Sequence, residues 1–340
     1  MRAKRPNLAI IAIVLSASFA LAGCATLPDK HATPQAYARH GEYREALSYL
    51  QANKDNLYKT TDSVVYGLDF GILKHYDGDF SGSNECFSDA ERRIDELYTK
   101  SVTQEVGSFI VNDTVLDYPG EDYEDIYTNL FMALNYVHQD NIDDAIVEMN
   151  RFISKQQKIS SRHQEEISKA RQAANDSSRN SVDIEFHNSA LAQYLTMLLH
   201  RADGDMDAAK YDQRMIGDAY RTQPDIYSGF QTPSFVKEEL SIPAKKARLN
   251  VLAFSGIAPV KYEERSSTQD FVIAYPIMKR NQSSVKWMTV TAINAKTGKS
   301  QTIRMEQIES IDNIALDTFK RRSEVIYKKA LARMLVKGVT

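Results

Sequence analysis

The densest group of chemically active side chains lies between residues 117 and 125 and is acidic. Its members are Asp117, Glu121, Asp122, Glu124 and Asp125, with Tyr118 and Tyr123 beside them. These carboxylates could bind a cation or the lysine or arginine of a partner, with the tyrosines as aromatic walls. The more common alternative is structural, because Asp-Tyr-Pro-Gly favours a turn and acidic residues in a first helical turn complement the helix dipole. We assign Tyr118, Tyr123 and Glu124 as candidate partner-binding residues.

A basic helix is predicted over 319–337, at the end of the chain. Its candidate partner-binding residues are Arg321, Arg322, Lys328 and Lys329. Such a helix could contact anionic lipid headgroups or an acidic wall polymer. A solvated face covering a sheet is the alternative.

Motifs for catalysis, cofactors and metals are incomplete. Gly298-Lys299-Ser300 resembles the end of a P-loop, but Ile293 stands where the first glycine is needed and a strand-like run follows, so a hairpin is predicted. His163-Gln164-Glu165-Glu166 lacks the second histidine of a zinc helix. No Gly-x-Ser-x-Gly segment is present. We therefore predict a protein that is not an enzyme and that has no cofactor and no metal.

The N-terminus predicts an export signal. Arg2, Lys4 and Arg5 precede an uncharged apolar run over 8–22. Leu21-Ala22-Gly23-Cys24 then resembles the lipobox of bacterial lipoproteins, which implies cleavage before Cys24 and acylation of that cysteine. Several acyl chains anchor a protein far more firmly than one. Ala25, in place of aspartate, predicts retention at the outer membrane, facing the periplasm. An ordinary secretory cleavage site or a membrane anchor is the alternative.

Composition excludes several other classes. The chain has 340 residues, 43% of them hydrophobic and 26% charged, which suits a folded protein of about two domains. Two cysteines cannot form a disulfide framework. The 42 lysines and arginines against 45 aspartates and glutamates give no overall positive field, so nucleic acid is not an expected partner.

A short turn signature recurs along the first two thirds of the chain. It occurs at Gly41-Glu42-Tyr43, Gly78-Asp79-Phe80, Asn141-Ile142-Asp143 and Gly204-Asp205-Met206. Glycine or asparagine ends one helix, and the acidic residue favours the start of the next. The pattern resembles the tetratricopeptide (TPR) helical hairpin, whose period is about 34 residues. The later copies are spaced nearly twice as far apart, which predicts insertions. Ordinary antiparallel helices are the alternative.

After a proline-containing connector the pattern changes to strands. β-branched and aromatic runs occur at 247–254, 270–278, 285–293 and 300–305, and Trp287 is expected in the core of the small sheet that they predict. The fold class is therefore α+β, with a TPR-like helical array followed by a small α/β domain with a mostly antiparallel sheet. The predicted boundaries are 1–23 signal peptide, 24–34 tether, 35–220 helical domain, 221–246 linker and 247–340 C-terminal domain.

Several segments together resemble a group of largely uncharacterised TPR-like bacterial outer-membrane lipoproteins. They are 117–124 (DYPGEDYE), 129–136 (NLFMALNY), 145–148 (AIVE) and 255–261 (SGIAPVK). Members of the group are often encoded beside a lipoprotein resembling activators of penicillin-binding proteins, which implies work in the cell envelope. The resemblance implies no enzymatic activity. Members continue beyond the basic helix, so the sequence is expected to be a short variant.

These observations favour a lipid-anchored periplasmic adaptor that binds a protein or peptide partner in cell-envelope assembly. The partner would be an envelope protein, such as a neighbouring lipoprotein, and the membrane is contacted through Cys24. One alternative is a C-terminal domain that binds or modifies cell-wall fragments. Another is a structural subunit of an envelope complex.

Overall fold

Helices dominate the protein, and they fall into two separate units. The structure is a computed structural model that describes residues 30–103, 117–173, 186–243, 248–267, 272–320 and 323. The units are Met1–Leu57 and Tyr58–Thr340. The predicted domain boundaries after 220 and 246 fall inside the second unit and stay predictions.

The first unit is a small helical hairpin. Helices α1 (Ala32–Arg39) and α2 (Tyr43–Ala52) flank a turn in which Gly41 has a φ of 76°, and a short α3 (Lys54–Leu57) follows. Ala46 and Leu50 of α2 are buried. The turn therefore lies at the first predicted turn signature.

The second unit begins with three successive pairs of helices. They are α4 (Ser63–Asp77) with α5 (Phe80–Thr103), α6 (Asp122–His138) with α7 (Ile142–Ala173), and α8 (Ala190–Asp203) with α9 (Met206–Thr222). Each turn contains a residue of positive φ: Gly78 at 88°, Asp140 at 56° and Gly204 at 90°. Gly78 and Gly204 lie in the predicted turn signatures, whereas at the third signature the left-handed residue is Asp140, one position before the predicted Asn141. A left-handed residue lets a helix end and the chain reverse within a few residues.

The main hydrophobic core forms between α6, α7, α8 and α9. Ile126, Leu130, Phe152, Met197 and Ile216 are almost completely buried there. Each such side chain contributes about 1.5–3 kcal/mol through burial. Ile226, Val236, Ile314 and Ala315 join the same core, so the connector and a helix over 311–320 (α10) pack against the helical pairs.

Helices α4 and α5 approach closely because α4 presents glycines to its partner. A methyl group built at Gly71 would lie 2.6 Å from the ring of Phe87, and one at Gly67 would lie 3.0 Å from Cβ of Ala90. Side chains of α5 therefore pack directly against the backbone of α4, where a residue with a Cβ would collide with them. Phe87 itself is 3% exposed, so its ring has little room to move.

Gly71→Ala is therefore expected to lower the free energy of unfolding by about 1–3 kcal/mol through overpacking. Gly217→Ala on α9 is the matched control, because nothing lies within 4 Å of its added methyl group. The control should be neutral or gain up to about 1 kcal/mol from helix propensity. Urea denaturation followed by circular dichroism measures both. Equal effects of the two substitutions would contradict the packing argument.

The C-terminal region contains two separate hairpins instead of the single predicted sheet. Strand β1 (Val260–Ser267) pairs antiparallel with β2 (Val272–Lys279), and β3 (Thr289–Ile293) pairs antiparallel with β4 (Ser300–Arg304). The α+β class is confirmed, and so is the hairpin predicted around Gly298. Its turn is closed by hydrogen bonds between the backbones of Asn294 and Lys299 and of Gly298 and Asn294, each 2.8 Å long.

Two predictions for this region are wrong. Residues 248–254 contain no strand, because this segment is held by side-chain hydrogen bonds and not by pairing with another strand. The Asn250 amide donates to Tyr194 Oη and to Glu239, each at 2.8 Å. The sequence did not predict strand β1, because its charged residues hide the alternation of apolar and polar residues that indicates a strand. Trp287 is 63% exposed and lies outside the core.

The predicted C-terminal helix begins earlier than expected, at residue 311, and its residues 321–322 and 324–337 lie outside the described part of the chain. Within the described residues, no helix combines the length and the apolar character needed to cross a membrane.

Candidate functional site

The predicted acidic cluster forms the N-terminus of α6. Gly120, with a φ of 80°, turns the chain into the helix, and Glu121 occupies the N-cap position. The backbone N–H of Glu121 donates to Oε2 of Glu124 at 2.7 Å, as in a capping box. Asp122, Glu124 and Asp125 lie in the first turn, where carboxylates complement the helix dipole.

The structure brings Tyr118, Tyr123 and Glu124 together. The Tyr118 hydroxyl donates to Oε2 of Glu124 at 2.7 Å, and Tyr123 is 8% exposed. Burial, and then the charges of Glu124 and Glu121, raise the pKa of both tyrosines. The three candidate residues are thus engaged with one another, and their role in binding a partner stays a prediction.

Lys261 of β1 completes the cluster. Its ammonium forms an ion pair with Glu121 and lies 5.0 Å from the centre of the Tyr118 ring. Lys261 is the last residue of the 255–261 segment noted in the sequence, but no spacing rule connects it to residues 140 positions earlier. We call Tyr118, Glu121, Tyr123, Glu124 and Lys261 the α6 cluster.

Glu124 is the titratable centre of the α6 cluster. Burial raises its pKa from 4.5 to about 7, in spite of the hydrogen bonds from the Glu121 backbone and from Tyr118. The carboxyl group is therefore near the midpoint of its titration at neutral pH. It can therefore bind or release a proton near neutral pH, and the second carboxylate beside it, that of Glu121, is paired with Lys261.

The raised pKa of Glu124 predicts a pH dependence of stability. The protonated form is favoured in the folded state, so this contribution is complete below pH 4.5 and is lost as the pH rises through about 7. We expect the loss to be on the order of 1–2 kcal/mol, because Glu124 is only partly buried. Glu124→Gln should flatten the dependence of the unfolding free energy on pH in this window. Glu263→Gln, at an exposed carboxylate of β1, should leave the slope unchanged; equal slopes in all three proteins would contradict the assignment.

The remaining predicted site residues, Cys24, Arg321, Arg322, Lys328 and Lys329, lie outside the described residues. Among the residues that are described, no group of three His, Cys, Asp or Glu side chains is arranged to hold a metal ion.

A second polar cluster, which the sequence did not indicate, joins α5, α6 and α7. Lys155 Nζ lies 2.8 Å from Glu91 and 2.5 Å from Asp125, and all three side chains are at most 11% exposed. Arg151 bridges Glu91 and Glu148 at 2.7 and 3.0 Å. We call these residues the Lys155 network. Burial opposes ionisation of both Glu91 and Asp125. At Glu91 the charges of Lys155 and Arg151 outweigh burial, and the pKa is lowered. At Asp125 burial prevails, and the pKa is raised.

An open groove of about 870 Å³ lies beside the Lys155 network. Both signs of charge line it, in contrast to the mostly apolar lining of typical small-molecule sites. Its lining residues are Ser88, Glu91, Arg92, Asp95, Glu96, Thr99, Lys100 and Arg151.

A third cluster surrounds the carboxylate of Glu309, just before α10. The hydroxyls of Tyr127 and Tyr227 donate to it, the latter at 2.6 Å, and Ser189 Oγ lies 2.9 Å from each carboxylate oxygen. The Leu191 N–H at the start of α8 adds a longer contact of 3.4 Å. Burial raises the pKa of Glu309 in spite of these donors. The carboxylate thereby fastens the C-terminal segment to α6, α8 and the connector.

The sequence matches no protein-family model, no curated protein and no solved structure. The fold itself defines the class of the protein, which is a mainly helical α+β protein built from successive helical hairpins.

Proposed function

We propose that the protein is a lipid-anchored, periplasm-facing adaptor of the outer membrane, in which a TPR-like array of helical hairpins binds a protein or peptide partner. The observation that carries the proposal is the succession of hairpins α4–α5, α6–α7 and α8–α9, each reversed by a tight turn. Stacked helical hairpins create extended surfaces that suit docking of peptides or helices. The resemblance of the sequence to envelope lipoproteins supports a partner in envelope or cell-wall assembly. The protein is proposed to act by binding and not by catalysis.

The charged groove beside the Lys155 network is the proposed docking surface within this array. Arg92 and Glu96 lie on its rim as an i,i+4 ion pair of 2.8 Å, with side chains 58% and 46% exposed. Exposed pairs contribute less than about 1 kcal/mol to stability, so their charges can be exchanged without unfolding α5.

The test compares the wild type with the charge-exchanged variant Arg92→Glu/Glu96→Arg. Each protein is purified from crosslinked envelopes, and stoichiometric partners are identified by mass spectrometry. A defined partner that is retained by the wild type and lost from the variant is expected. The matched control Asp207→Lys/Lys210→Asp exchanges an exposed pair of 3.2 Å on α9 and should retain the partner. Recovery of the protein alone, or hydrolysis of purified wall material by it, would contradict the adaptor proposal.

The proposed anchor is tested separately. Cys24→Ser should abolish incorporation of labelled palmitate and release the protein from the outer-membrane fraction. Retention of the label in this variant would overturn acylation at Cys24.

A further inference from the structure

The β3–β4 hairpin is exposed on both of its faces. Four of the five residues of β3 and all five of β4 are exposed. Its apolar side chains share this exposure, with Trp287 63%, Ile293 69% and Ile303 56% exposed. A two-stranded hairpin in water is at best marginally stable by itself, and large exposed apolar side chains commonly mark an interaction surface.

The register places an aromatic, an aliphatic and a basic residue on one face of this hairpin. Thr289 pairs with Arg304 and Ile293 with Ser300, and a 2.9 Å hydrogen bond between the backbones of Met305 and Met288 continues the ladder toward Trp287. Since side chains alternate along a strand, Trp287 and Ile293 lie on the same face as Arg304. The turn at the end of the hairpin adds Lys296 and Lys299.

Charge is strongly segregated in this part of the chain. Residues 271–305 contain six of the 42 basic residues and no acidic residue. The rest of the chain contains the other 36 basic residues and all 45 acidic residues. All six are exposed, and four of them, Lys286, Lys296, Lys299 and Arg304, lie in or next to the β3–β4 hairpin. None of these four side chains forms an ion pair with any residue in the described ranges. The hairpin therefore carries only positive charge, whereas the rest of the chain is negative overall.

This combination fits a lipid surface better than a protein groove. Tryptophan favours the membrane interface, where its ring is buried and its N–H stays hydrated. Lysine and arginine next to such residues reach anionic headgroups while their stems lie along the apolar layer. Because both faces of the hairpin are exposed, it can enter a fluid interface.

We infer that the β3–β4 hairpin, with Trp287, Ile293, Lys296 and Lys299, is a membrane-contact site that binds a surface of anionic phospholipid. This contact is separate from the acyl anchor at Cys24 and from the partner-binding groove. It would hold the C-terminal region at the membrane while the helical hairpins remain available to a partner.

Trp287 is the only tryptophan of the chain, so its fluorescence reports on this site alone. The test uses the chain from residue 24 onward with Cys24→Ser, which removes the acyl anchor. Vesicles of phosphatidylcholine mixed with phosphatidylglycerol should shift the Trp287 emission to shorter wavelength, protect it from acrylamide and sediment the protein. Vesicles of phosphatidylcholine alone should do none of these, and high salt should reverse binding. Equal binding to both vesicles, or sedimentation without a change at Trp287, would overturn the inference.

Charge and apolar contact are tested by separate variants. Lys296→Gln/Lys299→Gln should weaken binding to anionic vesicles by about 25-fold, or about fivefold per basic residue. Lys210→Gln/Lys237→Gln removes two exposed lysines elsewhere and should bind like the wild type. Ile293→Ser should abolish most of the emission shift, whereas Val147→Ser, at a residue 52% exposed on α7, should not. An emission shift that grows with protein concentration in the absence of vesicles would instead assign the hairpin to contact between copies of the chain.

Discussion

Lys155→Met is expected to lower the free energy of unfolding by about 3–5 kcal/mol. The Lys155 ammonium is shared by Glu91 and Asp125, and both carboxylates are less than a tenth exposed. Methionine fills a similar volume, so the loss reports the charge and not the packing. Without the ammonium, two negative groups stay buried, and among the described residues their remaining cationic neighbours are Arg151 and the more distant Arg162, 3.5 Å from Asp125. Urea denaturation followed by circular dichroism measures the change.

Two further proteins make this prediction specific to the Lys155 network. Lys210→Met removes an exposed ion pair with Asp207 and should change the unfolding free energy by less than about 0.5 kcal/mol. The triple variant Glu91→Gln/Asp125→Asn/Lys155→Met removes the buried charges together and should recover part of the loss. Equal losses for Lys155→Met and Lys210→Met would show that the network contributes nothing to stability.

Glu309→Ala is expected to cost about 2–4 kcal/mol of unfolding free energy. The hydroxyls of Tyr127 and Ser189 would lose their acceptor, and that of Tyr227 would keep only its longer contact with the Asn188 carbonyl at 3.3 Å. All three residues are at most 5% exposed, and an unsatisfied buried donor costs about 1–3 kcal/mol. The net loss is smaller than three full penalties, because the buried carboxylate itself carries a desolvation cost, as its raised pKa indicates.

The neighbouring Glu306→Ala is the control for this substitution. Glu306 is exposed and accepts from the Ser234 N–H at 3.0 Å and from its hydroxyl at 2.6 Å, so its removal should cost less than about 1 kcal/mol. Glu309→Gln should give an intermediate loss, since the amide keeps one acceptor oxygen. A smaller effect of Glu309→Ala than of Glu306→Ala would contradict the role of Glu309 in fastening the C-terminal segment.

Local signals predicted much of the secondary structure. Gly78 and Gly204 end helices because the left-handed conformation costs glycine little, and the run around Gly298 closes a hairpin for the same reason. The chemistry of such turns is contained within a few neighbouring residues. Strand pairing is not local, which explains why 247–254 was predicted as a strand although side-chain contacts of Asn250 with Tyr194 and Glu239 hold this segment.

The candidate site was predicted only in part, for a related reason. Tyr118, Tyr123 and Glu124 are close in sequence, so the turn and the first turn of α6 bring them together. Lys261 reaches the same cluster from 140 residues away, and no pattern within the sequence specifies that contact.

The sequence by itself determined the places where helices reverse and the segregation of basic residues into 271–305, while the export signal before Cys24 stays a prediction. These properties depend on residue type and on neighbours within about one turn. The tertiary structure decided which charges meet, as at Lys155 and Glu309, and it decided that Trp287 is exposed. Such contacts depend on how helices and hairpins pack, because the environment of a side chain is set by segments that can be more than a hundred residues away.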